Sequence, residues 1–356
     1  MHKVWAALAA AGVAVCATDC GAPARTELYP PVEPLRSGYL RVSDLHELYW
    51  EEVGNPRGVP VIVLHDGPGD GASPAMRRYF DPLRFHVLLF DQRGAQRSRP
   101  RGEWRENTTQ DLIEDINRLR DHVGIAGKAI LFGGSWGSTL ALAYAEQYPE
   151  RVSGLVLHGV FLCSSEEIDF RYHGGASMFF PDAWERFKLV VPRPDEADYP
   201  RQLFEAITGD DPREREVAIE GWAFYETRMS SVYLTDEATQ RLLSEHAERL
   251  MPLALLHNYY LMNGCFLREM QLLEGAERIA RIPTFVVQGR YDTLSPPLHA
   301  WNLARRLERI ELELTDAAGH SMDDPPNVRA LLRGVEWVAR NADRAEIPVP
   351  EAPPEQ

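Results

Sequence analysis

Gly133-Gly134-Ser135-Trp136-Gly137 follows directly on the apolar run Ala129-Ile130-Leu131-Phe132 and leads into Ser138-Thr139-Leu140-Ala141-Leu142-Ala143-Tyr144-Ala145, which reads as a helix. A serine between two glycines at a strand-to-helix junction is a nucleophile elbow. The sharp turn lifts the hydroxyl out of the sheet, and its flanks must carry no clashing side chain. The helix that follows puts positive potential beside the serine. Elsewhere, 39–52 reads as antiparallel strands, and apolar strands near 61–64, 85–90, 129–132 and 154–158 alternate with helices. Thr108-Thr109-Gln110-Asp111 is a capped start, with Leu112, Ile113, Ile116, Leu119 and Val123 at helical spacing behind it. This is α/β wrapping around a mostly parallel central sheet with helices on both faces.

A serine needs a base, and the base needs an orienting acid, both expected late in the chain on loops after strands. Pro283-Thr284-Phe285-Val286-Val287-Gln288-Gly289 is a short apolar strand ending in Arg290-Tyr291-Asp292. Ile310-Glu311-Leu312-Glu313-Leu314 runs into Ala317-Ala318-Gly319-His320-Ser321. Asp292 is expected to hold the imidazole of His320 in the right tautomer, and His320 to take the Ser135 proton. Either residue alone reads as a turn former or a surface histidine; three pieces in order point to a triad. After the strand 61–64 comes His65-Asp66-Gly67-Pro68-Gly69, which looks like an oxyanion loop. Gly67 is the expected loop N–H donor with Asp66 second, and Trp136, directly after the serine, supplies the other. The turn at Gly67–Pro68 is a candidate cis peptide, and Ser135 is expected at positive φ.

With these residues in hand, the chain resembles the proline iminopeptidases (prolyl aminopeptidases) of the α/β-hydrolase fold. The resemblance covers roughly 28–341. It includes Leu28-Tyr29-Pro30-Pro31, Asp91-Gln92-Arg93-Gly94, Asn107-Thr108-Thr109, the whole of 133–152, Phe180-Pro181-Asp182-Ala183-Trp184, Gly289-Arg290-Tyr291-Asp292 and Ala318-Gly319-His320-Ser321. It implies hydrolytic removal of an N-terminal proline, or another small residue, through an acyl-enzyme, with no cofactor or metal. It also implies a lid whose paired glutamates grip the substrate ammonium. The first matches Glu226; the second falls at His257, a loss of about 1–3 kcal/mol on the scale of a charge-assisted hydrogen bond. Asp66 stands where the family has glycine, and a carboxylate there is expected to repel an oxyanion or to adjust the turn. His257, titrating near neutrality, is expected to weaken ammonium binding as pH falls. Tyr225 and Tyr260 are further candidates to line a proline-sized pocket, against a plain packing role. Asp91 and Arg93 read as braces of the loop beside the site.

From about 163 to 280 the strand signal disappears and aromatic, charged, helix-forming segments take over, which marks the lid. The division is then 1–27 leader, 28–162 and 281–342 core, 163–280 helical lid, and 343–356 a Pro-rich acidic tail expected to be disordered. Lys3 followed by the apolar stretch 4–17 reads as a secretory signal, too short to span a bilayer, so export is expected. Cys16 and Cys20 raise lipidation, but the residues before them do not suit it. Cys163 and Cys265 are read as separate buried thiols. With 356 residues the chain suits one elaborated core, and a net charge of −15 argues against nucleic acid and anionic membrane surfaces as partners. The expected partner is a peptide or small acyl substrate. An esterase or amidase on the same triad, and a non-catalytic binding protein of the same fold, stay open. Epoxide hydrolase chemistry needs a carboxylate where Ser135 stands.

Overall fold

A computed structural model describes residues 25–342 except 197. The leader, Cys16, Cys20 and the tail 343–356 therefore lie outside the described residues. Eight strands form one sheet in the order β1-β2-β4-β3-β5-β6-β7-β8. They are β1 (Arg36–Arg41), β2 (Glu47–Gly54), β3 (Val59–Leu64), β4 (Phe85–Phe90), β5 (Ala129–Gly134), β6 (Val152–His158), β7 (Thr284–Gly289) and β8 (Ile310–Thr315). β2 pairs antiparallel with both β1 and β4, and from β4 to β8 every pairing is parallel.

Side-chain alternation sorts the central strands between two apolar layers. Ile62, Leu64, Leu88, Phe90, Leu131, Leu155, Leu157 and Val286 join the layer carrying α1 (Thr109–Val123) and α2 (Trp136–Gln147). Val61, Val63, Val87, Leu89, Ile130, Phe132, Val156, Phe285 and Val287 join the opposite layer. There the C-terminal helix α11 (Pro325–Asn341) buries Leu331, Leu332, Val335 and Val338. Coverage on both faces is why these strands read as continuous apolar runs. α1 starts on the expected cap: Thr108 accepts from the Asp111 N–H and the Asp111 carboxylate accepts from Thr108 N–H.

Between β6 and β7 the chain is helical. α3 (Ser165–Tyr172), α4 (Pro181–Lys188), α5 (Tyr199–Thr208), α6 (Pro212–Ser230), α7 (Asp236–Glu245), α8 (Ala247–Met262) and α9 (Gln271–Glu274) follow one another, and α10 (Pro297–Ala304) lies after β7. No strand occurs between 163 and 280 among the described residues. One expectation is overturned here. Cys163 and Cys265 are not separate thiols but a disulfide, with Cα atoms 6.3 Å apart across 102 residues of sequence. It joins the first residue of the lid stretch to the short turn after α8, and only tertiary folding brings the two together. Among the described residues no helix is long and apolar enough to cross a membrane.

Candidate active site

Ser135, Asp292, His320 and the loop of Asp66 and Gly67 each lie just after a parallel strand, the usual place for a ligand in such sheets, whereas Glu226 and His257 lie on the lid helices α6 and α8. Ser135 follows β5 with φ 49° and ψ −120°. The flanking glycines are needed for space. A Cβ on Gly133 would strike the Gly137 carbonyl, and one on Gly137 would strike the Leu64 carbonyl. The elbow is stitched to the end of β6 by Ser135 N–H, which donates to the His158 carbonyl at 2.9 Å. The next residue, Gly159, abuts the partners: a Cβ there would lie 3.0 Å from His320 Cε1 and 3.4 Å from Asp292 Oδ2. Ser135, His320 and Asp292, from three different loops, thus all lie around the end of β6.

His320 Nδ1 and Asp292 Oδ2 are 2.8 Å apart. With a carboxylate as partner, Nδ1 carries the proton, which leaves Nε2 as the base. Burial penalises an imidazolium, but the charge and hydrogen bond of Asp292 outweigh this and raise the His320 pKa. Burial likewise penalises the Asp292 carboxylate, and His320 together with the Ser295 N–H holds its pKa below the usual range. Asp292 is clamped: Leu294 and Ser295 N–H groups donate to Oδ1 at 2.9 and 2.7 Å, and Gln288 Nε2 donates to Oδ2 at 2.9 Å. Gln288, from inside β7, is a positioning residue that the sequence reading missed; nothing local distinguishes it from any buried strand glutamine.

The loop after β3 is held from both sides. His65 Nδ1 donates to the Asp66 carbonyl at 2.6 Å, and its Nε2 accepts from Gln92 N–H at 2.9 Å. Gln92 in turn accepts from the Trp136 indole at 2.7 Å, which ties loop and elbow together. Asp91 Oδ1 accepts from Ala72 N–H at 2.8 Å, and Arg93 forks onto Asp115 of α1. Asp91 thus braces the loop, while Arg93 ties the end of β4 to α1. Gly67–Pro68 is cis, with Gly67 at φ 123°. Trp136 opens α2, so its N–H belongs to the first helical turn, where no intrahelical carbonyl is available.

Asp66 sends its side chain toward the elbow: a Cβ on Gly134 would lie 2.9 Å from Asp66 Oδ1 and 3.4 Å from His158 Nδ1. Asp66 Oδ1 and both ring nitrogens of His158 are buried without a hydrogen-bond partner. Burial, then Asp70, pushes the Asp66 pKa up to about 7, and burial followed by His320 pushes that of His158 down to about 3. Near neutral pH, then, Asp66 is protonated for much of the time and repels an oxyanion less than a fixed carboxylate.

In the lid, Tyr225 and Tyr260 take the packing role, His257 departs from expectation, and Glu226 already has partners. Tyr225 and Tyr260 are fully buried, with their hydroxyls spent on the Arg171 carbonyl (2.9 Å) and Asn107 Oδ1 (2.8 Å). Tyr225 stacks on Phe187 and Tyr260 packs edge-on to Trp136, so both build the lid interior. His257 does not titrate near neutrality: burial pushes its pKa down to about 4. Its Nδ1 lies 3.2 Å from the Gly67 carbonyl and its Nε2 lies 3.0 Å from Arg171 Nη1, which only donates, so His257 is a neutral Nδ1–H tautomer. Glu226 is nearly buried and already partnered, by Tyr172 Oη at 2.9 Å and Arg171 Nη1 at 3.4 Å. Arg171, which no motif flagged, sits between the two expected amine anchors.

Among the described residues no group of three His, Cys, Asp or Glu side chains is arranged to hold a metal ion. A family model described as the alpha/beta hydrolase fold matches residues 59–322. The proline iminopeptidase of Xylella fastidiosa (strain Temecula1) is 43% identical over 308 residues, covering 86% of this chain and 97% of that protein. That of Neisseria meningitidis serogroup A is 44% identical over 315 residues, covering 87% and 98%. The chain belongs to the proline iminopeptidase family. An Arabidopsis thaliana family member is 42% identical over 84% of this chain and 78% of its own. Solved structures are more distant and speak only to the fold. A proline iminopeptidase-related protein from Thermus thermophilus superposes with a TM-score of 0.55 at 24% identity, covering 86% of this chain and 99% of that one. An esterase from Exiguobacterium antarcticum gives 0.60 at 18%, covering 85% and 100%.

Proposed function

We propose that this protein is a serine hydrolase that releases an N-terminal proline, or another small residue, from peptides. The observation that carries the reading is the His320–Asp292 pair set beside a strained Ser135 elbow, in a chain more than 40% identical to proline iminopeptidases along nearly its whole length. Ser135 Oγ attacks the carbonyl after the first residue while His320 Nε2 takes its proton. The Gly67 and Trp136 N–H groups receive the oxyanion, next to Asp66, which with a pKa of about 7 is protonated part of the time near neutral pH. His320 then returns the proton to the leaving amine, and water repeats the cycle on the acyl-enzyme.

Ser135→Ala is expected to lower turnover on a prolyl anilide by several orders of magnitude without loss of fold. Retention of most activity, or a serine-directed phosphonate labelling another residue, would refute it. Export is supported by the leader-like N-terminus and by the Cys163–Cys265 disulfide, since such bonds persist in oxidising compartments.

A further inference from the structure

Helix α8 of the lid lies against the loop that carries Gly67 and touches it at three places. Near the start of the helix, Arg249 Nη2 donates to the Asp70 carbonyl at 3.1 Å and to Asp70 Oδ1 at 2.8 Å. Pro252 comes next, its carbonyl packed so closely that a Cβ on Gly69 would lie 2.5 Å from it. Pro252 has no N–H to give the Glu248 carbonyl, which takes Arg101 instead. The Arg249 carbonyl takes Gln96 Nε2 at 3.3 Å, an amide that also donates to the Gly69 carbonyl at 3.2 Å. Farther along the helix, buried His257 reaches the Gly67 carbonyl with Nδ1 at 3.2 Å, its ring packed on Trp222 with centroids 5.1 Å apart.

Gly67 carries no side chain and stands at φ 123°, so the direction of its N–H is set by how the carbonyls on either side of it are held. One hold lies within the loop. His65 Nδ1 donates at 2.6 Å to the Asp66 carbonyl, which belongs to the same peptide unit as the Gly67 N–H. The other comes from the lid, through His257 on the Gly67 carbonyl. His257 has that proton to give because its Nε2 accepts from Arg171 Nη1 at 3.0 Å, which leaves Nδ1 as the protonated nitrogen. Arg171 Nη2 donates to the Leu294 carbonyl at 2.9 Å, and the Leu294 N–H donates to Asp292 Oδ1. A chain of hydrogen bonds thus runs from the Gly67 loop through two lid residues to the loop of Asp292. An oxyanion donor helps only if it is already aimed where charge develops, so a loosened Gly67 peptide weakens the transition state more than the bound ground state.

We propose that α8 completes the oxyanion hole from the lid side, with His257 a positioning residue that fixes the Gly67 peptide and Arg249 a second hold on the same loop. This rests on the Ser135 hydrolysis and the Gly67 donor proposed above, and names the residues that keep that donor aimed.

Two amides separate the contacts of His257. In His257→Asn the amide nitrogen takes the place of Nδ1 and keeps the donation to Gly67, whereas in His257→Gln the amide oxygen takes the place of Nε2 and keeps only the acceptor for Arg171. The test measures kcat and KM in the full chain for prolyl p-nitroanilide and p-nitrophenyl acetate, with His257→Leu and Arg249→Met alongside. His257→Leu and His257→Gln are expected to lose about tenfold or more in kcat on both substrates with KM within about twofold. His257→Asn is expected to stay within about threefold of the wild-type kcat, and Arg249→Met to lose about threefold or more, again with KM nearly unmoved. A smaller loss in folded His257→Leu or Arg249→Met protein overturns the proposal, as does a rise in KM alone or a His257→Gln protein that outperforms His257→Asn. Should the His257 variants fail to fold, Arg249→Met decides alone, since that side chain is partly exposed. Retained activity in Ser135→Ala sinks the hydrolytic reading itself, while loss there with wild-type kcat in the lid variants sinks only the role of α8. If the wild type cleaves the ester but not the anilide, the prolyl-directed reading fails separately, and the kcat values on the ester still decide.

Discussion

At Asp66 one carboxyl group bears on the chemistry without touching the triad by hydrogen bond. Its buried oxygen faces the elbow, and its negative charge, once formed, raises the pKa of His320. His320 must be neutral to accept the serine proton, so the acid limb of kcat/KM is expected above the pKa of an ordinary histidine. Asp66→Asn removes the negative neighbour and is expected to move that limb to lower pH by on the order of half a unit, the two groups titrating as a coupled pair. A pH–rate profile on the same anilide checks this, and an unmoved limb would mean that Asp66 does not feel the base. His257 behaves oppositely to its sequence-based expectation. Its neutrality is enforced by burial and by Arg171, and neither is visible from its neighbours in the chain. Ser135, Asp292 and His320, in contrast, are legible as candidates because each announces itself locally, by a glycine-flanked turn or by a strand that stops. Arg171, His158 and Gln288 carry no such local mark and acquire meaning only from what folds against them.

Helix α2 shows the same division at the next scale. It was legible as a helix from its alanine- and leucine-rich sequence, and it is buried on nearly every side. Glu146 in its last turn is therefore an anomaly: 6% exposed, with Oε1 unpartnered and Gly275 packed over the carboxyl. Burial is the main cause that pushes its pKa up to about 8. An unfolded glutamate ionises near 4.5, so between that pH and 8 the folded chain holds a proton the unfolded chain has lost, and stability falls as pH rises through the window. Glu146→Gln is expected to stabilise the fold by about 1–3 kcal/mol at pH 7, with the gain vanishing below pH 4. Denaturant unfolding at both pH values tests it; an equal gain at both would point to packing instead of charge. The lid helices were legible as a block because strand patterning ceases, but the fate of their aromatics was not. Periodicity alone does not separate a tyrosine that lines a pocket from one that fills a core.

For the molecule as a whole, the core is discontinuous in sequence: β1 to β6 precede the lid, β7 and β8 follow it, and Asp292 and His320 come from the second part. The proposed catalysis therefore requires two distant stretches of chain to stay together. The Cys163–Cys265 bond lies across the base of the intervening excursion and gives the chain a covalent bypass around it. A single peptide-bond cut inside the excursion, for instance near the exposed Leu189, does not release either half. Limited proteolysis there is expected to leave one species of full mass on a non-reducing gel and two fragments once dithiothreitol is added. Two fragments without reductant would show the bond to be unformed. The nicked and unreduced protein should keep its serine and histidine on one scaffold, so the lid is free to be remodelled, or even opened, at no risk of the enzyme coming apart.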